Sequence, residues 1–168
     1  SSNLMSTTFN GFGEETVTAL EAVNIIVDEN YTERSFEIEE QMRFILKNIE
    51  SKYNFVKTTR GRGAIHGIFF DTRFTDFEKI TKFIPIEMME DERFGQKLLL
   101  ASIVENLYDK HNILSVFSFG HELHLILSPP ICVNNENIKA LDIALHNTFD
   151  LGPVNLMWKF VKKRLLTK

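Results

Sequence analysis

The sequence predicts an α+β domain, in which a small antiparallel sheet is covered by helices and preceded by a long linking helix. Two observations lead to this prediction. Strand-like segments come in two pairs, at residues 55–71 and 113–127, each interrupted by turn-forming residues. The segments around them have the three- and four-residue apolar spacing of helices. Because the strands are grouped in hairpins with helices between them, we expect an antiparallel sheet with helices on one face.

Two helices are predicted at the amino end. Residues 14–30 form the first, because Leu20, Val23 and Val27 share one face. Residues 32–51 form the second, with acidic residues in its first turns, where the helix dipole favours them. Its predicted buried stripe consists of Ile38, Met42, Ile45 and Ile49.

The first strand pair is predicted within residues 55–71, which are rich in β-branched and aromatic side chains. Arg60-Gly61-Arg62-Gly63 interrupts it, and we predict a turn or bulge there with both arginines in solvent. There are two weaker alternatives. A phosphate-binding loop lacks the lysine and hydroxyl that should follow its glycines, and an RNA-binding arginine-glycine tract would need more than this single repeat. Residues 65–70 are apolar on both faces of the predicted strand, apart from His66 and Gly67. This pattern predicts a strand that is central in the sheet or covered on both sides.

Helical and strand segments alternate through the rest of the chain. Residues 72–91 predict a short helix and a loop, and residues 92–112 an amphipathic helix containing Leu100, Ile103, Val104, Leu107 and Tyr108. Strands at 113–119 and 123–127 should be joined at Gly120-His121, with Leu123, Leu125 and Leu127 on one face.

Pro129-Pro130 ends the second hairpin, because proline cannot continue a strand ladder. Two final helices are predicted after it. Asn134 or Asn135 should cap the first of them. Its predicted buried stripe is Ile138, Leu141, Leu145 and Phe149, and the last helix, at 154–166, should bury Met157, Phe160, Val161 and Leu165.

Composition limits the possible functions. The chain has 168 residues, 19 basic against 23 acidic, and a net charge of -4, which argues against a general nucleic-acid binder. No apolar run approaches the ~20 residues that a membrane span needs. Cys132 is the single cysteine, so no internal disulfide can form, and a reducing cytoplasm is the expected location.

Two other motifs have plain interpretations. The histidines of His121-Glu122-Leu123-His124 are three apart in a predicted hairpin, whereas the zinc-protease motif needs them four apart on a helix. We therefore expect turn residues in solvent. Five basic residues at the carboxyl end are expected to complement the dipole of the last helix, and an anionic partner is the alternative. They are Lys159, Lys162, Lys163, Arg164 and Lys168.

The segment Ser6-Thr7-Thr8-Phe9-Asn10-Gly11 could present hydroxyls and backbone N–H groups to an anion just before a helix. The alternative is an ordinary helix cap. In order along the chain, three segments resemble the carboxyl-terminal small domain of class III, fold-type I pyridoxal-phosphate-dependent aminotransferases. They are this threonine segment, Arg60-Gly61-Arg62-Gly63 with Gly67, and the run from Leu125 to Ile131 with its two prolines.

This resemblance implies that Thr8, with Thr7 beside it, contacts the cofactor phosphate of a neighbouring subunit. It also implies a fold in three parts: a phosphate-contacting opening at residues 1–11, a linking helix at 12–30 and a small α+β domain at 31–168. The family's Schiff-base lysine precedes the threonine, but the first lysine here is Lys47. We therefore assign no catalytic residue, and expect pyridoxal phosphate to be bound by the intact parent enzyme and not covalently by this chain. The resemblance also implies an arginine near the two prolines for a substrate carboxylate, and residues 113–131 contain none.

The expected function is therefore that of a domain fragment of an aminotransferase that moves an amino group from an amine or amino acid to a keto acid or aldehyde. The fragment alone should be inactive. Its expected partners are the missing large domain, a second subunit in a homodimer, and a small amine and keto acid, with neither nucleic acid nor membrane. The alternative is a non-catalytic binding or dimerisation module with the same fold.

Overall fold

The computed structural model of this chain describes residues 13–71, 91, 93–120 and 122–166. Thr7, Thr8, His121 and nearly all of the helix and loop predicted at 72–91 lie outside the described residues. The described part contains five helices and four strands. In chain order they are α1 (Gly13–Asp28), α2 (Tyr31–Lys52), β1 (Val56–Arg62), β2 (Ile65–Phe70), α3 (Phe94–His111), β3 (Val116–Phe117), β4 (His124–Leu127), α4 (Asn135–Phe149) and α5 (Pro153–Leu166).

The four strands form one sheet in the order β1-β2-β4-β3, and every neighbouring pair is antiparallel. This confirms the predicted α+β class. β2 lies between β1 and β4, as its apolar sequence predicted. The second hairpin is also confirmed, although β3 pairs with β4 over only two residues. None of the described helices is long and apolar enough to cross a membrane.

The turn of the first hairpin is displaced from its predicted position. Arg60, Gly61 and Arg62 are strand residues of β1, and the chain reverses at Gly63 and Ala64, where Gly63 has a φ of 58°. The prediction of a turn across the whole Arg60–Gly63 motif was therefore wrong. Gly61 is paired with His66 in β2, and a Cβ there would meet the His66 ring, so this glycine serves packing within the sheet.

The sheet has two different faces. Ile68, Phe70, Leu125 and Leu127 are buried on the face that packs against the helices. Residues directly opposite each other on paired strands share a face, so the other side carries Arg60, Gly67 and Ile126 in one row and Phe69 and His124 in the next. We call this side the open face, because Ile65 on it is 64% exposed.

The core lies between the sheet and the helices. The predicted stripes of α2 and α4 are both buried: Ile38, Met42, Ile45 and Ile49 from α2, and Ile138, Leu141, Leu145 and Phe149 from α4. Asn134 caps α4, its side-chain oxygen accepting from the Asn137 N–H at 2.8 Å. In α3, Leu100, Ile103 and Leu107 are buried as predicted, but Tyr108 is exposed.

The last helix departs from its predicted burial in one residue. Met157 is fully buried and Phe160 and Val161 are half-buried against the core, but Leu165 is exposed. Successive residues turn about 100° around a helix. Since Lys163 and Arg164 face α3, the next residue points away from it.

Helix α1 is present close to its predicted bounds, but none of its residues is buried. Leu20, Val23 and Val27 are all more than half exposed. The apolar face that predicted this helix is therefore not covered by the described part of the chain.

Candidate functional site

The threonines proposed to contact a cofactor phosphate, Thr7 and Thr8, lie outside the described residues. Their role remains a prediction from the sequence. The described residues do show what the rest of the chain contributes chemically.

The lysines whose pKa is shifted do not fit a Schiff-base role. A nucleophilic lysine must lose its proton, which requires a lowered pKa. Tyr53 and Asp150 instead raise the pKa of Lys52, and Asp109 and Glu105 raise the pKa of Lys163. Neither of these two lysines is therefore a candidate for the Schiff base, and we derive no chemical step through pyridoxal phosphate.

The open face carries a row of stacked side chains. The Arg60 guanidinium lies 5.0 Å from the centre of the Phe69 ring, in a cation–π arrangement. Phe69 also stacks on the His124 ring, with centroids 4.6 Å apart and an interplanar angle of 24°. Arg60 Nη1 lies 3.7 Å from Glu122 Oε2. Neighbouring strands therefore hold a cation, two rings and a carboxylate together on one surface.

This row borders a shallow depression above Gly67. A Cβ on Gly67 would lie 2.9 Å from His124 Cδ2, so the histidine ring rests against the backbone only because no side chain intervenes. Ile65 and Ile126 form the apolar part of the lining. Sequence reasoning missed this site, although the apolar β2 sequence with a glycine in its interior was a usable signal of close approach.

The structure describes Glu122 and His124 of the His121-Glu122-Leu123-His124 motif, and His121 lies outside the described residues. Within the part of the chain that the structure describes, no group of three or more histidine, cysteine, aspartate or glutamate side chains is placed to hold a metal ion. Glu122 is exposed, as predicted for a turn residue, but His124 begins β4 and is half-buried against Phe69. The expectation of a solvent-facing His124 was therefore wrong.

A second polar cluster joins α2 to the first hairpin. The Glu39 carboxylate accepts from the Gly63 N–H at 2.8 Å and pairs with Arg43. This hydrogen bond is the main reason that the pKa of Glu39 is lowered. His66 Nε2 lies 2.9 Å from the Gly63 carbonyl oxygen, which only accepts, so Nε2 donates. Burial lowers the pKa of His66, and the ring is held neutral.

A third cluster joins the end of α2 to the end of α4. The Tyr53 hydroxyl donates to Asp150 Oδ1 at 2.7 Å and lies 2.8 Å from His146 Nδ1. Lys52 pairs with the same Asp150 carboxylate at 3.0 Å. Burial is the largest cause of the raised pKa of Tyr53. These groups satisfy one another and lie at the junction of two core helices, which is a structural role.

The basic carboxyl end has partners that the sequence did not reveal. Lys163 Nζ lies 2.7 Å from Glu105 and 2.6 Å from Asp109, and Arg164 Nη1 lies 2.6 Å from Glu105. Complementing the dipole is thus only part of the role of these cations, because two of them hold α5 against α3. Cys132 is exposed, in the turn before α4.

The arrangement of helices around this sheet is found in the aminotransferases. No family model matches the sequence, and no curated protein matches it. The similar solved structures include ornithine aminotransferase from Toxoplasma gondii, which superposes with a TM-score of 0.64 at 20% identity over 89% of this chain and 30% of that one. A transaminase from the marine bacterium Virgibacillus gives a TM-score of 0.64 at 15% identity over 93% of this chain and 32% of that one.

Ornithine aminotransferase from Plasmodium yoelii is similar over 90% of this chain and 33% of its own, with a TM-score of 0.61 at 16% identity. Likenesses at such low identity show the fold. The predicted resemblance to a carboxyl-terminal aminotransferase domain is therefore confirmed at the level of fold. The chain spans about a third of the length of these structures.

Proposed function

We propose that this chain is the small domain of a class III pyridoxal-phosphate-dependent aminotransferase, which moves an amino group from an amine or amino acid to a keto acid or aldehyde. One observation supports the proposal above the others. This chain superposes on ornithine aminotransferase from Toxoplasma gondii over 89% of its own length, with a TM-score of 0.64.

In the parent enzyme the large domain would hold the cofactor and supply its lysine. Pyridoxal phosphate would act there as the electron sink for amino-group transfer. The part we assign to this chain is binding: Thr8, with Thr7 beside it, would donate hydroxyl hydrogen bonds to the phosphate of the cofactor in the neighbouring subunit of a cytoplasmic homodimer. The small domain would also close the active site over the substrates.

A non-catalytic dimerisation module remains the second candidate. The exposed apolar face of α1, with Leu20, Val23 and Val27, favours a partner surface whether or not chemistry takes place. The two candidates differ in whether a cofactor-binding large domain belongs to the same protein.

The first experiment treats this chain with pyridoxal phosphate and borohydride. We expect no specific, stoichiometric labelling of a single lysine, because the proposed Schiff-base lysine belongs to the large domain and the first lysine of this chain is Lys47. Specific labelling of one lysine would contradict the proposal.

The second experiment uses the longest protein that the gene encodes around this chain. If the proposal holds, that protein binds pyridoxal phosphate, and Thr8→Val weakens its affinity by about tenfold or more, as expected for loss of a hydrogen bond to a charged group. Thr18→Val is the control, because the Thr18 hydroxyl bonds only to the exposed Glu14 carbonyl in α1. A folded protein that neither binds the cofactor nor transfers amino groups would favour the dimerisation module.

A further inference from the structure

We infer that the open face of the sheet binds a small carboxylic acid with an apolar body, and that Arg60 is the residue that pairs with the carboxylate. This inference uses only side chains of this chain and does not depend on the proposed transferase function. It begins with the state of the Arg60 guanidinium.

Arg60 is held in position, but its guanidinium still has N–H donors available for a ligand. Its guanidinium is fixed over the Phe69 ring at 5.0 Å, and the side chain is 65% exposed. The Glu122 carboxylate, at 3.7 Å, lies beyond the 2.7–2.9 Å of a charge-assisted hydrogen bond. The planar fork of N–H donors therefore remains available to a second carboxylate, which arginine binds through two parallel hydrogen bonds.

His124 supplies a second polar group next to Phe69. Its Nδ1 lies 3.0 Å from the Glu122 carbonyl oxygen, so Nδ1 carries the hydrogen and donates it. Nε2 lies toward Gly67, 3.6 Å from where a Cβ would stand on that glycine. The other ring nitrogen therefore faces the depression as an acceptor. It does not bond to the carboxylate, and the ring instead forms a wall that a ligand held by Arg60 would contact.

The depression itself is small and partly apolar. Its volume is about 250 Å³. Its lining residues are Arg60, Gly61, Ile65, His66, Gly67, Phe69, His124 and Ile126. Pockets for drug-sized ligands have volumes of about 300 to 1,000 Å³. The ligand of this depression must therefore be smaller than a drug-sized molecule. A short branched aliphatic acid fits, because its body can cover Ile65, which is otherwise 64% exposed.

The charges favour a carboxylate over a phosphate. Arg60 provides one positive charge at the rim, and Glu122 lies beside it. The single arginine charge neutralises a monoanionic carboxylate, whereas a dianionic phosphate would keep a net negative charge against Glu122 and the apolar lining. A carboxylate needs only to displace the loose Glu122 contact.

The test is a titration of this chain with 4-methylpentanoate, followed by NMR of the Arg60 side-chain N–H and the His124 ring. We expect both signals to shift and saturate together, and the neutral 4-methylpentanamide to leave them unchanged. Arg60→Met should weaken binding by at least about tenfold, and Glu122→Gln should strengthen it, because the competing charge is removed. Arg62→Met is the matched control, since Arg62 is exposed on the same strand outside the depression, and it should change affinity less than twofold.

The backbone amide spectrum of each variant checks that the sheet is intact. Equal shifts with the amide, or equal losses in Arg60→Met and Arg62→Met, would overturn the site, because binding would then be apolar or non-specific. If dilution of the protein alone moves the same signals, a second copy of the chain covers this face and the inference is wrong.

Discussion

Gly61 has no room for a side chain within the first hairpin. A Cβ at this position would lie 2.2 Å from His66 Nδ1 and 2.6 Å from the Ile65 carbonyl oxygen. Because the second contact is with backbone, rotation of the histidine cannot relieve it. We expect Gly61→Ala to lower the free energy of unfolding by about 1–3 kcal/mol, the usual effect of overpacking, as measured by urea denaturation.

Gly13→Ala is the control for this substitution. No atom lies within 4 Å of a Cβ at Gly13, so the free energy of unfolding should not fall. Equal stability of Gly61→Ala and the wild type would mean that the His66 ring does not occupy the space beside β1.

His66 makes stability depend on pH near neutrality. Burial lowers its pKa below the ordinary value of 6.5. Between about pH 7 and the lowered pKa, the unfolded chain therefore binds a proton that the folded chain does not, and stability falls as the pH falls. We expect His66→Gln to reduce this slope between about pH 7.5 and 5.5, because glutamine can still donate to the Gly63 carbonyl but does not titrate.

The measurement is urea denaturation at a series of pH values. The pH range of this test lies above 4.5, the ordinary pKa of a glutamate. Glu39, beside His66, has a lowered pKa, so the stability that depends on its charge is lost only at pH values below this range. An unchanged slope in His66→Gln would show that His66 binds its proton equally well in the folded and unfolded chains. The slope is the readout, so a uniform loss of stability in the variant does not affect the test.

At the scale of elements, Tyr53 connects the end of α2 with the end of α4. Its hydroxyl bonds to Asp150 at 2.7 Å and contacts His146 at 2.8 Å, while its ring packs edge-on against Phe149 at 5.5 Å. Tyr53→Phe keeps the ring and removes the hydroxyl. We expect a loss of about 1 kcal/mol in the free energy of unfolding, because the acceptors are partly exposed and water can replace the bonds.

Tyr108→Phe provides the matched control in α3. The Tyr108 side chain is exposed, so the same chemical change should alter stability by less than about 0.5 kcal/mol. If both variants behave alike, the Tyr53 hydroxyl does not hold the two helices together.

The elements were predictable where a single periodic pattern decided them. The stripes of α2 and α4 and the alternation of Leu123, Leu125 and Leu127 all identified buried faces, because each follows a regular spacing. The turn at Gly63 was misplaced because glycine serves two purposes that look alike in sequence. Gly63 has positive φ, whereas Gly61 makes room for a ring.

The sites were less predictable than the elements, because their members come from different strands. Arg60, Phe69 and His124 meet only through the β1-β2-β4 register, and nothing in the sequence fixes that register. The ion pairs of Lys163 and Arg164 with Glu105 span more than 50 positions for the same reason. Thr7 and Thr8 were singled out by resemblance, and their role is still a prediction.

At the scale of the whole molecule, α1 is the element whose packing is incomplete. Leucine and valine side chains gain about 1.5–3 kcal/mol each when they are fully buried, yet Leu20, Val23 and Val27 lie on a helix with no buried residue. This face must therefore find a partner surface in solution or remain a source of self-association. For the isolated chain, a second copy can supply such a surface.

We therefore expect the isolated chain to self-associate as its concentration rises, measured by sedimentation velocity. Val23→Glu should weaken this association by at least about tenfold, because one buried valine contributes more than the 1.4 kcal/mol that corresponds to a factor of ten. Thr18→Glu adds the same charge about 140° away around the helix and should leave association unchanged. Neither variant should lower the free energy of unfolding of the dilute chain, because no α1 side chain is buried in the domain. A loss of stability in Val23→Glu would instead place α1 against the core, and association equal to that of the wild type would remove α1 from the contact between copies.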